Sequence, residues 1–313
     1  MIYTVTFNPA LDYVLNVEKL NSNDINRSNN EELYAGGKGI NVSTILSRLE
    51  IENKALGFLA GFSGEYLEKI LKKEKIKTDF VYLNSGNTRI NVKIKADSEL
   101  DINASGPEIT DDDINKLFEK LDEIKTDDYL ILAGSVPASL PNNMYEIIIK
   151  RLSDRKINFV VDAAGDLLKS ILKYKPFLIK PNHHELGGLF SKEIKNESDA
   201  VHYAKELQKM GAENVLVSMA ENGALLVDEN GGATAVSNAE GNLVSSVGCG
   251  DSMVAGFIAG YINSNNYEAA LKLGAVCGNA TAFSSSLASK EDIENMRQNK
   301  HIRIKKIGKA IKD

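Results

Sequence analysis

The stretch Val247-Gly248-Cys249-Gly250-Asp251-Ser252-Met253 decides how the rest of the sequence is interpreted. Two glycines flank one small residue, and the apolar residues that follow recur at helical spacing, at Val254, Phe257, Ile258 and Tyr261. The free N–H groups at a helix start attract phosphate. An aspartate fits beside a phosphate if a substrate hydroxyl lies between them and loses its proton while attacking phosphorus. The stretch therefore predicts phosphoryl transfer with Asp251 as the base, although an aspartate that only complements the helix dipole remains an alternative.

Two common nucleotide-binding motifs do not match the glycines of this chain. The dinucleotide fingerprint requires a third glycine where this stretch has Met253. In Gly36-Gly37-Lys38-Gly39 the lysine is followed by glycine rather than Ser or Thr, and no glycine stands at the required distance before it. Neither a Rossmann fingerprint nor a Walker A loop is predicted.

Composition limits the class of protein. With 313 residues and 43% hydrophobic content, the chain can form one large α/β domain with a substantial core. Its 37 basic and 43 acidic residues give a formal charge of −6, which disfavours a nucleic-acid partner and favours a small-molecule substrate. No apolar stretch reaches membrane-spanning length and no signal-peptide pattern is found, so we expect a cytoplasmic protein with no membrane partner. The two cysteines, Cys249 and Cys277, do not require a disulfide.

The basic residues near the end of the sequence could indicate an anionic partner. They alternate with isoleucines in the order His301, Ile302, Arg303, Ile304, Lys305, Lys306, Ile307, Lys309 and Lys312. We interpret this segment as an exposed final strand or helix.

Strand-length apolar runs alternate with helical patterns along the chain. The predicted strands are Ile2–Phe7, Tyr129–Leu132, Phe159–Val161, Phe177–Ile179 and Val215–Val217. Between them, Thr110 is a predicted helix cap, and helical apolar stripes occur at Ile114, Leu117, Leu121 and Ile124, at Val42, Leu46 and Leu49, and at Val201, Ala204 and Leu207. This alternation predicts a single α/β domain over residues 1–313, with a mostly parallel central sheet flanked by helices.

Two stretches, Leu11–Val17 and Thr88–Ile102, interrupt this alternation with a polar and apolar period of two. We predict that they form a small separate sheet, with its strands inserted at about 11–34 and 87–104, that projects from the main domain as a lid. A lid would exclude water during phosphoryl transfer. The alternative is two extra edge strands on the main sheet.

Polar groups suited to a sugar follow the first predicted strand. Asp12, in Asn8-Pro9-Ala10-x-Asp12, and Asn41, in Gly36-Gly37-Lys38-Gly39-x-Asn41, can bind vicinal hydroxyls, and the glycines allow close approach of the backbone. Lys38 and Arg89 are candidates to bind a phosphate already on the sugar.

Another polar group, Lys180-Pro181-Asn182-His183-His184-Glu185, follows the predicted strand Phe177–Ile179. At the carboxyl end of a parallel strand, Asn182 and Glu185 could orient hydrated Mg²⁺ on ATP phosphates. A transition-metal site at the two adjacent histidines is disfavoured, because we expect their rings to diverge and no cysteine lies nearby. The turn 218–223 could shelter an adenine or ribose, or be a plain hairpin turn.

Taken together, these motifs resemble the ribokinase-like (PfkB) sugar kinases over residues 1 to about 290. The resemblance rests on Asn8-Pro9-Ala10-x-Asp12, Gly36-Gly37-Lys38-Gly39-x-Asn41, Thr88-Arg89, Gly134-Ser135-x-Pro137, Lys180-Pro181-Asn182-x-x-Glu185 and Gly248-x-Gly250-Asp251. Within the family, Thr88–Lys93 and Pro181–Leu186 are most similar to members that act on fructose 1-phosphate, followed by those that act on tagatose 6-phosphate.

The resemblance implies a role for each group of residues. Asp251 would be the catalytic base, with the N–H groups of Gly248, Cys249 and Gly250 as an anion hole. The residues implied to hold the sugar phosphate are Asp12, Gly37, Lys38, Asn41, Arg89 and Ser135. Those implied to serve MgATP are Lys180, Asn182, Glu185, Ser218, Gly223 and Asn279. The resemblance also implies a homodimer that pairs through the lid, which would cover its exposed edges.

Three positions depart from the family pattern. Ala220 stands where relatives usually have glycine, Cys249 replaces the usual alanine, and Leu100–Asn103 differs from the Thr-Glu-Ile-Asn associated with fructose 1-phosphate enzymes. Since Cys249 would lie at a helix start, one hypothesis gives it a lowered thiol pKa and high reactivity. The alternative is a buried, inert filler.

The resemblance implies an enzyme that uses ATP and Mg²⁺ to convert fructose 1-phosphate to fructose 1,6-bisphosphate. The alternatives are a tagatose 6-phosphate kinase and a non-catalytic sugar-phosphate sensor. A nucleoside kinase is disfavoured, because a neutral sugar needs no phosphate clamp such as Lys38 and Arg89.

Overall fold

The computed structural model describes residues 1–21, 23–97 and 99–307. In those residues the strands are β1 (Ile2–Thr6), β2 (Ala10–Asn16), β3 (Asn30–Gly36), β4 (Asn53–Leu59), β5 (Lys77–Thr78), β6 (Val81–Tyr82), β7 (Arg89–Lys95), β8 (Glu99–Ile102), β9 (Tyr129–Ala133), β10 (Asn158–Asp162), β11 (Leu178–Ile179), β12 (Asn214–Ser218), β13 (Ala224–Val227), β14 (Ala233–Val236) and β15 (Ile304–Ile307). The helices are α1 (Lys38–Arg48), α2 (Gly61–Lys73), α3 (Asp111–Leu121), α4 (Met144–Arg151), α5 (Gly165–Ile171), α6 (His183–Phe190), α7 (Glu197–Lys209), α8 (Cys249–Ser264), α9 (Tyr267–Ala282) and α10 (Lys290–Arg297).

The main sheet is mostly parallel, as predicted. Its strands run in the order β15-β14-β13-β12-β11-β10-β9-β1-β4-β5, and β6 also pairs with β4. Pairing is parallel from β12 through β5 and antiparallel from β12 through β15. All five predicted strands are confirmed within this sheet. The carboxyl ends of β1, β9, β10 and β11 therefore meet at one edge, where open α/β sheets bind ligands.

Alternate side chains of the central strands point to opposite faces of the main sheet, and both faces are buried. On β9, Leu130 and Leu132 belong to one core cluster, and Ile131 to the other. The first cluster includes residues of α3 to α7, and the second includes residues of α1, α8, α9 and α10. Helix α3 begins at the predicted cap, since the Thr110 hydroxyl accepts from the Asp113 amide in a capping box. Ile124 lies beyond the end of α3 but is buried as the stripe predicted.

The predicted small separate sheet is confirmed, and the alternative of edge strands on the main sheet is wrong. Its order is β3-β2-β7-β8, and we call these four strands the lid sheet. The two inner strands, β2 and β7, pair in parallel, with Asp12 opposite Asn91. The predicted strand Thr88–Ile102 is two strands, because the chain reverses and Lys95 pairs with Glu99. The pairing of β2 with β7 places the two predicted lid segments side by side.

Several strands were not predicted from the sequence. β3 carries Glu31 and Glu32 and is defined by its pairing with β2 rather than by its own propensity. β4 contains Lys54 and Gly57, which interrupt its apolar run. β13 and β14 have four residues each, too short for a clear period.

The basic segment near the end of the chain forms an exposed strand, β15, as predicted. Its lysines pair within the chain, Lys305 with Glu197 at 3.0 Å and Lys306 with Glu268 at 2.8 Å. Lys309 and Lys312 lie outside the described residues. Among the helices that the structure describes, none has the length and apolar character needed to cross a membrane.

Candidate active site

A cavity of 460 Å³ lies at the carboxyl edge of the main sheet, between the starts of α1 and α8 and the lid sheet. It brings together most of the predicted site residues, although they are distant in sequence. The predicted residues that line it are Asp12, Gly37, Lys38, Asn41, Arg89, Ser135, Lys180, Gly248, Gly250 and Asp251. The predicted catalytic and sugar-binding groups thus share one cavity, apart from Cys249.

Helix α8 begins as the glycine-rich stretch predicts. Gly248 is the N-cap, with φ of 78°, and its carbonyl accepts from the Ser252 amide at 2.8 Å. Asp251 is therefore the third residue of the helix. The amides of the first turn have no acceptor within the helix and are available to an anion. Asn41, from α1, donates through Nδ2 to Oδ2 of Asp251 at 2.7 Å, which fixes the orientation of the carboxylate.

The environment of Asp251 makes it a stronger base than an ordinary aspartate. Its side chain is only 6% exposed. Burial, and then the negative charge of Asp162, raise the pKa of Asp251 from 3.8 to about 6, against the opposing effects of Asn41, Lys38 and Lys180. A general base works best when its pKa lies near the working pH. Asp251 is therefore suited to accept a proton near neutrality.

Asp162 is a member of the site that sequence reasoning missed. It ends β10, is 2% exposed, and lies between two lysines. Its Oδ1 accepts from Nζ of Lys38 at 3.1 Å, and its Oδ2 lies 3.4 Å from Nζ of Lys180. A Cβ built on Gly250 would lie 3.1 Å from the same Lys180 atom, so this ammonium is next to the start of α8. The available signal was a polar residue directly after the predicted strand Phe159–Val161.

The lid sheet contributes its own polar groups. Arg89 donates through Nε to the Asn8 carbonyl at 3.1 Å, which fixes the base of its guanidinium at the cavity. Two residues further along β7, Asn91 donates to Oδ1 of Asp12 at 2.8 Å. Lys93, two residues further again, has its ammonium 3.9 Å from Oδ2 of Asp12. Asn91 and Lys93 were missed, although the period of two places them on the same face as Arg89.

The predicted magnesium residues form a helix cap. Oδ1 of Asn182 accepts from the Glu185 amide at 2.8 Å, and Oε2 of Glu185 accepts from the Asn182 amide at 2.8 Å. Glu185 also lines an adjoining cavity of 650 Å³ with Lys38 and Asp162. Its Oε1 takes no part in the cap, and Mg²⁺ uses few protein ligands and keeps several waters. The donor set therefore fits a hydrated Mg²⁺ on bound phosphates.

The adjacent histidines do not diverge as expected. The ring centroids of His183 and His184 lie 3.9 Å apart. Within residues 1–21, 23–97 and 99–307, no group of three or more His, Cys, Asp or Glu side chains could hold a metal ion directly.

The predicted nucleotide residues Ser218, Gly223 and Asn279 do not line the 460 Å³ cavity. Ser218 ends β12 and pairs with Ala224, the first residue of β13, so residues 219–223 form the turn of a β-hairpin. Gly223, with φ of 81°, packs so closely on the Val236 carbonyl that a side chain would overlap it.

Asn279 is tied to that hairpin turn through one other side chain. Its Nδ2 donates to Oδ1 of Asn238 at 3.2 Å, and Nδ2 of Asn238 donates to the Ala220 carbonyl at 2.7 Å. The structure therefore brings the hairpin turn and α9 together beside Asn238.

Ala220 adopts a left-handed conformation, with φ of 49°, which explains the glycine expected there. A Cβ in this conformation costs about 1 kcal/mol or more, which exceeds the 0.4–1 kcal/mol that alanine gains over glycine through the unfolded chain. We expect Ala220→Gly to raise the free energy of unfolding slightly and the Tm by about 1–2 °C. Differential scanning calorimetry tests this, with Ala224→Gly in β13 as a destabilised control. A lower Tm for Ala220→Gly would contradict the strain.

The structure corrects the hypothesis of a reactive Cys249. Its Sγ donates to the Ser245 carbonyl at 3.4 Å. Burial, and then the charge of Asp251, raise the pKa of Cys249 to about 11, so the thiol is protonated at neutral pH. The prediction of a lowered pKa was wrong, because these two effects exceed that of the helix dipole. The raised pKa favours the alternative of an inert filler, although Cys249 is half-buried rather than buried.

We therefore expect iodoacetamide to leave the enzyme active at pH 7.5, because the thiolate is the reactive species. Cys249→Ala should keep kcat within about twofold of wild type, since alanine fills similar space. Activity after timed exposure to the reagent checks this, with Cys277→Ala as the matched control. Rapid inactivation that disappears only in Cys249→Ala would contradict the assignment.

Comparison with known proteins gives the family. The model of the pfkB family of carbohydrate kinases matches residues 5–294. A 1-phosphofructokinase of Bacillus subtilis is 45% identical over 297 residues, covering 95% of this chain and 97% of the relative. A D-tagatose-1-phosphate kinase of Bacillus licheniformis is 36% identical, covering 92% of this chain and 94% of the relative. The solved structure of phosphofructokinase-2 from Escherichia coli in complex with substrates and products has a TM-score of 0.87 at 27% identity, covering 95% of this chain and 98% of that one.

These matches extend over nearly the whole chain and agree with the resemblance drawn from the motifs. Together with the ribokinase-like arrangement of the main sheet and the lid sheet, they establish that the chain belongs to the pfkB family of carbohydrate kinases.

Proposed function

We propose that the protein transfers the γ-phosphoryl group of ATP to the 6-hydroxyl of fructose 1-phosphate in the cytoplasm. The observation that carries this proposal is the position of Asp251, a base with a raised pKa at the amide-lined start of α8. Arg89, a candidate to bind the phosphate of the substrate, lines the same 460 Å³ cavity as Asp251. Support for the substrate comes from the Bacillus subtilis 1-phosphofructokinase, at 45% identity across nearly the full chain.

In the proposed reaction the sugar oxygen attacks the γ-phosphorus while Asp251 takes the hydroxyl proton. The new O–P bond forms as the bond to ADP breaks, and the proton remains on Asp251 until solvent accepts it. Amides of the first turn of α8, from Gly248 to Gly250, bind the charge on the transferring group. Asn41 keeps one carboxylate oxygen engaged, so the other is directed at the hydroxyl.

Lys38 and Arg89, which the sequence grouped as candidates for the sugar's phosphate, are assigned to two different phosphate groups. Lys38 is bonded to Asp162 beside Lys180, next to the start of α8, so we assign it to the transferring phosphoryl group. Arg89 lies on the lid sheet and is assigned to the sugar's own phosphate. Asp12, held by Asn91, and Ser135 are assigned to sugar hydroxyls.

MgATP is assigned to the adjoining region. Lys180 would contact the phosphates, and Asn182 and Glu185 would hold Mg²⁺ through water. When bound, the ion supplies positive charge that offsets the phosphates. The nucleoside is assigned to the region of Ser218, Gly223 and Asn279, which Asn238 joins.

We further propose a homodimer formed through the lid sheet. Its edge strands expose large apolar side chains, with Leu33 42%, Leu100 43% and Ile102 55% exposed. Edge strands with such side chains are prone to pair with another chain. Sedimentation equilibrium should give twice the mass of 34.2 kDa, and Ile102→Lys should weaken the association. A wild-type monomer at micromolar concentration would contradict this assembly.

A panel of sugars at fixed MgATP tests the substrate. The panel contains fructose 1-phosphate, tagatose 1-phosphate, tagatose 6-phosphate, fructose 6-phosphate and fructose, and ADP release is the readout. We expect fructose 1-phosphate to have the highest kcat/KM. Tagatose 1-phosphate is the second candidate, because two relatives bear the name D-tagatose-1-phosphate kinase. Turnover of none of them would favour the sugar-phosphate sensor.

Asp162→Asn should shift the pH dependence of the reaction. The base must be ionised, so log kcat/KM should fall below the pKa of Asp251, about 6 in the wild type. The charge of Asp162 raises that pKa, so its removal should move the acid limb to lower pH. The substrate's phosphate also titrates near pH 6, with a pKa of about 6, but identically for both enzymes. Superimposable profiles would contradict the assignment of Asp251 as the base.

A further inference from the structure

Arg48, the last residue of α1, binds the segment Leu287–Ala288, which packs against the start of α8. Its Nη1 donates to the carbonyls of Leu287 and Ala288, at 2.7 and 2.9 Å. The segment is also held from the other side, because the Ala288 amide donates to the Thr281 hydroxyl at 3.2 Å. That hydroxyl shares a hydrogen bond of 2.8 Å with the buried Ser252, one residue after the catalytic base.

The side chain of Leu287 lies directly against Gly248. A Cβ built on Gly248 would lie 2.5 Å from Cδ2 of Leu287, so the leucine methyl occupies the space beside the glycine. Gly248 is the N-cap of α8, and its backbone defines where the first-turn amides point. The position of Leu287 therefore bears on the geometry of the proposed anion hole.

Arg48 is itself held in a fixed orientation by Glu74. Nε of Arg48 donates to one carboxylate oxygen at 3.2 Å and Nη2 donates to the other at 2.8 Å. A two-point contact of this kind fixes the plane of a guanidinium, which a lysine ammonium cannot reproduce. The remaining nitrogen, Nη1, is thereby directed at the two carbonyls.

Helix α1 connects this contact to the base. Asn41, which orients Asp251, and Arg48 are seven residues apart, close to two helical turns, and so lie on the same face of α1. One face of α1 therefore fixes the orientation of the Asp251 carboxylate, through Asn41, and the position of Leu287 and Ala288, through Arg48.

We propose that Arg48 is a positioning residue for phosphoryl transfer, acting through Leu287 on the Gly248 turn. It touches neither substrate in this assignment. The inference rests on the proposed function, because it requires that the start of α8 binds the transferring group.

The test compares Arg48→Met with a matched arginine elsewhere. Arg155 likewise donates through Nη1 to two carbonyls, of Asp122 at 2.6 Å and Ile124 at 2.8 Å, but at the opposite edge of the main sheet. We expect Arg48→Met to lower kcat about 10- to 100-fold, since small displacements of reacting groups cost that much, with KM for the sugar phosphate little changed. Arg155→Met should lower Tm and leave kcat unchanged. Equal kcat values for the two variants would overturn the proposal.

Leu287→Ala provides the second test. If Arg48 acts through Leu287, then Arg48→Met should lower kcat much less in the Leu287→Ala background than in the wild type. Independent, multiplicative losses would overturn the proposal. Glu74→Gln keeps one hydrogen bond to Arg48 and should give an intermediate kcat.

The assay uses whichever sugar phosphate the wild type phosphorylates, so a wrong substrate assignment leaves this test intact. If the wild type phosphorylates none, the crystal structure of Arg48→Met decides. A Gly248 turn displaced together with the Leu287 side chain would support the positioning role, and an unchanged Gly248 turn would overturn it.

Discussion

Asp251→Asn is expected to lower kcat by about 10²- to 10⁴-fold, because an amide of the same shape cannot accept the proton of the attacking hydroxyl. The amide oxygen can still accept the hydrogen bond from Asn41, so the local geometry should persist. KM for the sugar phosphate should change little. Steady-state kinetics with both substrates varied provide the measurement. Activity above a tenth of wild type would show that Asp251 only complements the helix dipole.

The thermal stability of the same variant separates the two roles of Asp251. The pKa of Asp251 is about 6 in the fold and 3.8 when unperturbed, so the folded state binds more protons between these values. Stability from this group is therefore present below pH 3.8 and is lost as the pH rises through about 6. At pH 8 the ionised carboxylate destabilises the fold, so Asp251→Asn should have an equal or higher Tm. An aspartate that stabilised the helix start would give a lower Tm on substitution.

Arg89→Ala is expected to raise KM for the sugar phosphate about 10- to 150-fold, because a charged hydrogen bond of this kind contributes about 1.5–3 kcal/mol. KM for ATP should change far less, since Arg89 lies on the lid sheet and is assigned to the sugar's own phosphate. Initial rates over a matrix of both substrate concentrations give the two constants.

Lys93→Ala is the matched control for Arg89→Ala. Lys93 lies on the same face of β7 but contacts Asp12 and Asp101, at 3.9 and 3.8 Å. We expect a smaller increase in KM for the sugar phosphate than in Arg89→Ala. Equal increases in both KM values for Arg89→Ala would indicate that the lid sheet had been disrupted instead.

The sequence predicted the parts of the site that depend on local pattern. The start of α8, the strands of the parallel sheet and the separate lid sheet each leave a short signal of spacing or period. Contacts that join distant segments left none. Asn41 reaches an aspartate 210 positions away, and Asp162 matters because it meets Lys38, 124 positions away, and Lys180.

Cys249 shows why a local rule can fail. A helix dipole contributes about 0.3–1 kcal/mol at an exposed site and up to about 2 kcal/mol at a partly buried one, which is about 0.2 to 1.5 pKa units at about 1.36 kcal/mol per unit. Burial and an adjacent carboxylate can shift a pKa by several units. The carboxylate of Asp251 stands two residues away in the sequence, but the burial of Cys249 is not visible until the fold is known. The protonation of the thiol is decided by the relative sizes of these effects on its pKa, and the dipole effect is the smaller one.

The division of the site between two sheets has a consequence for idle ATP hydrolysis. Asp12 and Arg89 are carried by neighbouring strands of the lid sheet, whereas Asp251 and Lys180 belong to the main domain. A sugar phosphate held by both groups would bridge the two sheets and draw them together, while water, which has no phosphate for Arg89, would not. The lid sheet would then close on the main domain only when a sugar phosphate, the correct phosphoryl acceptor, is bound. A cell short of sugar would lose little ATP to this kinase.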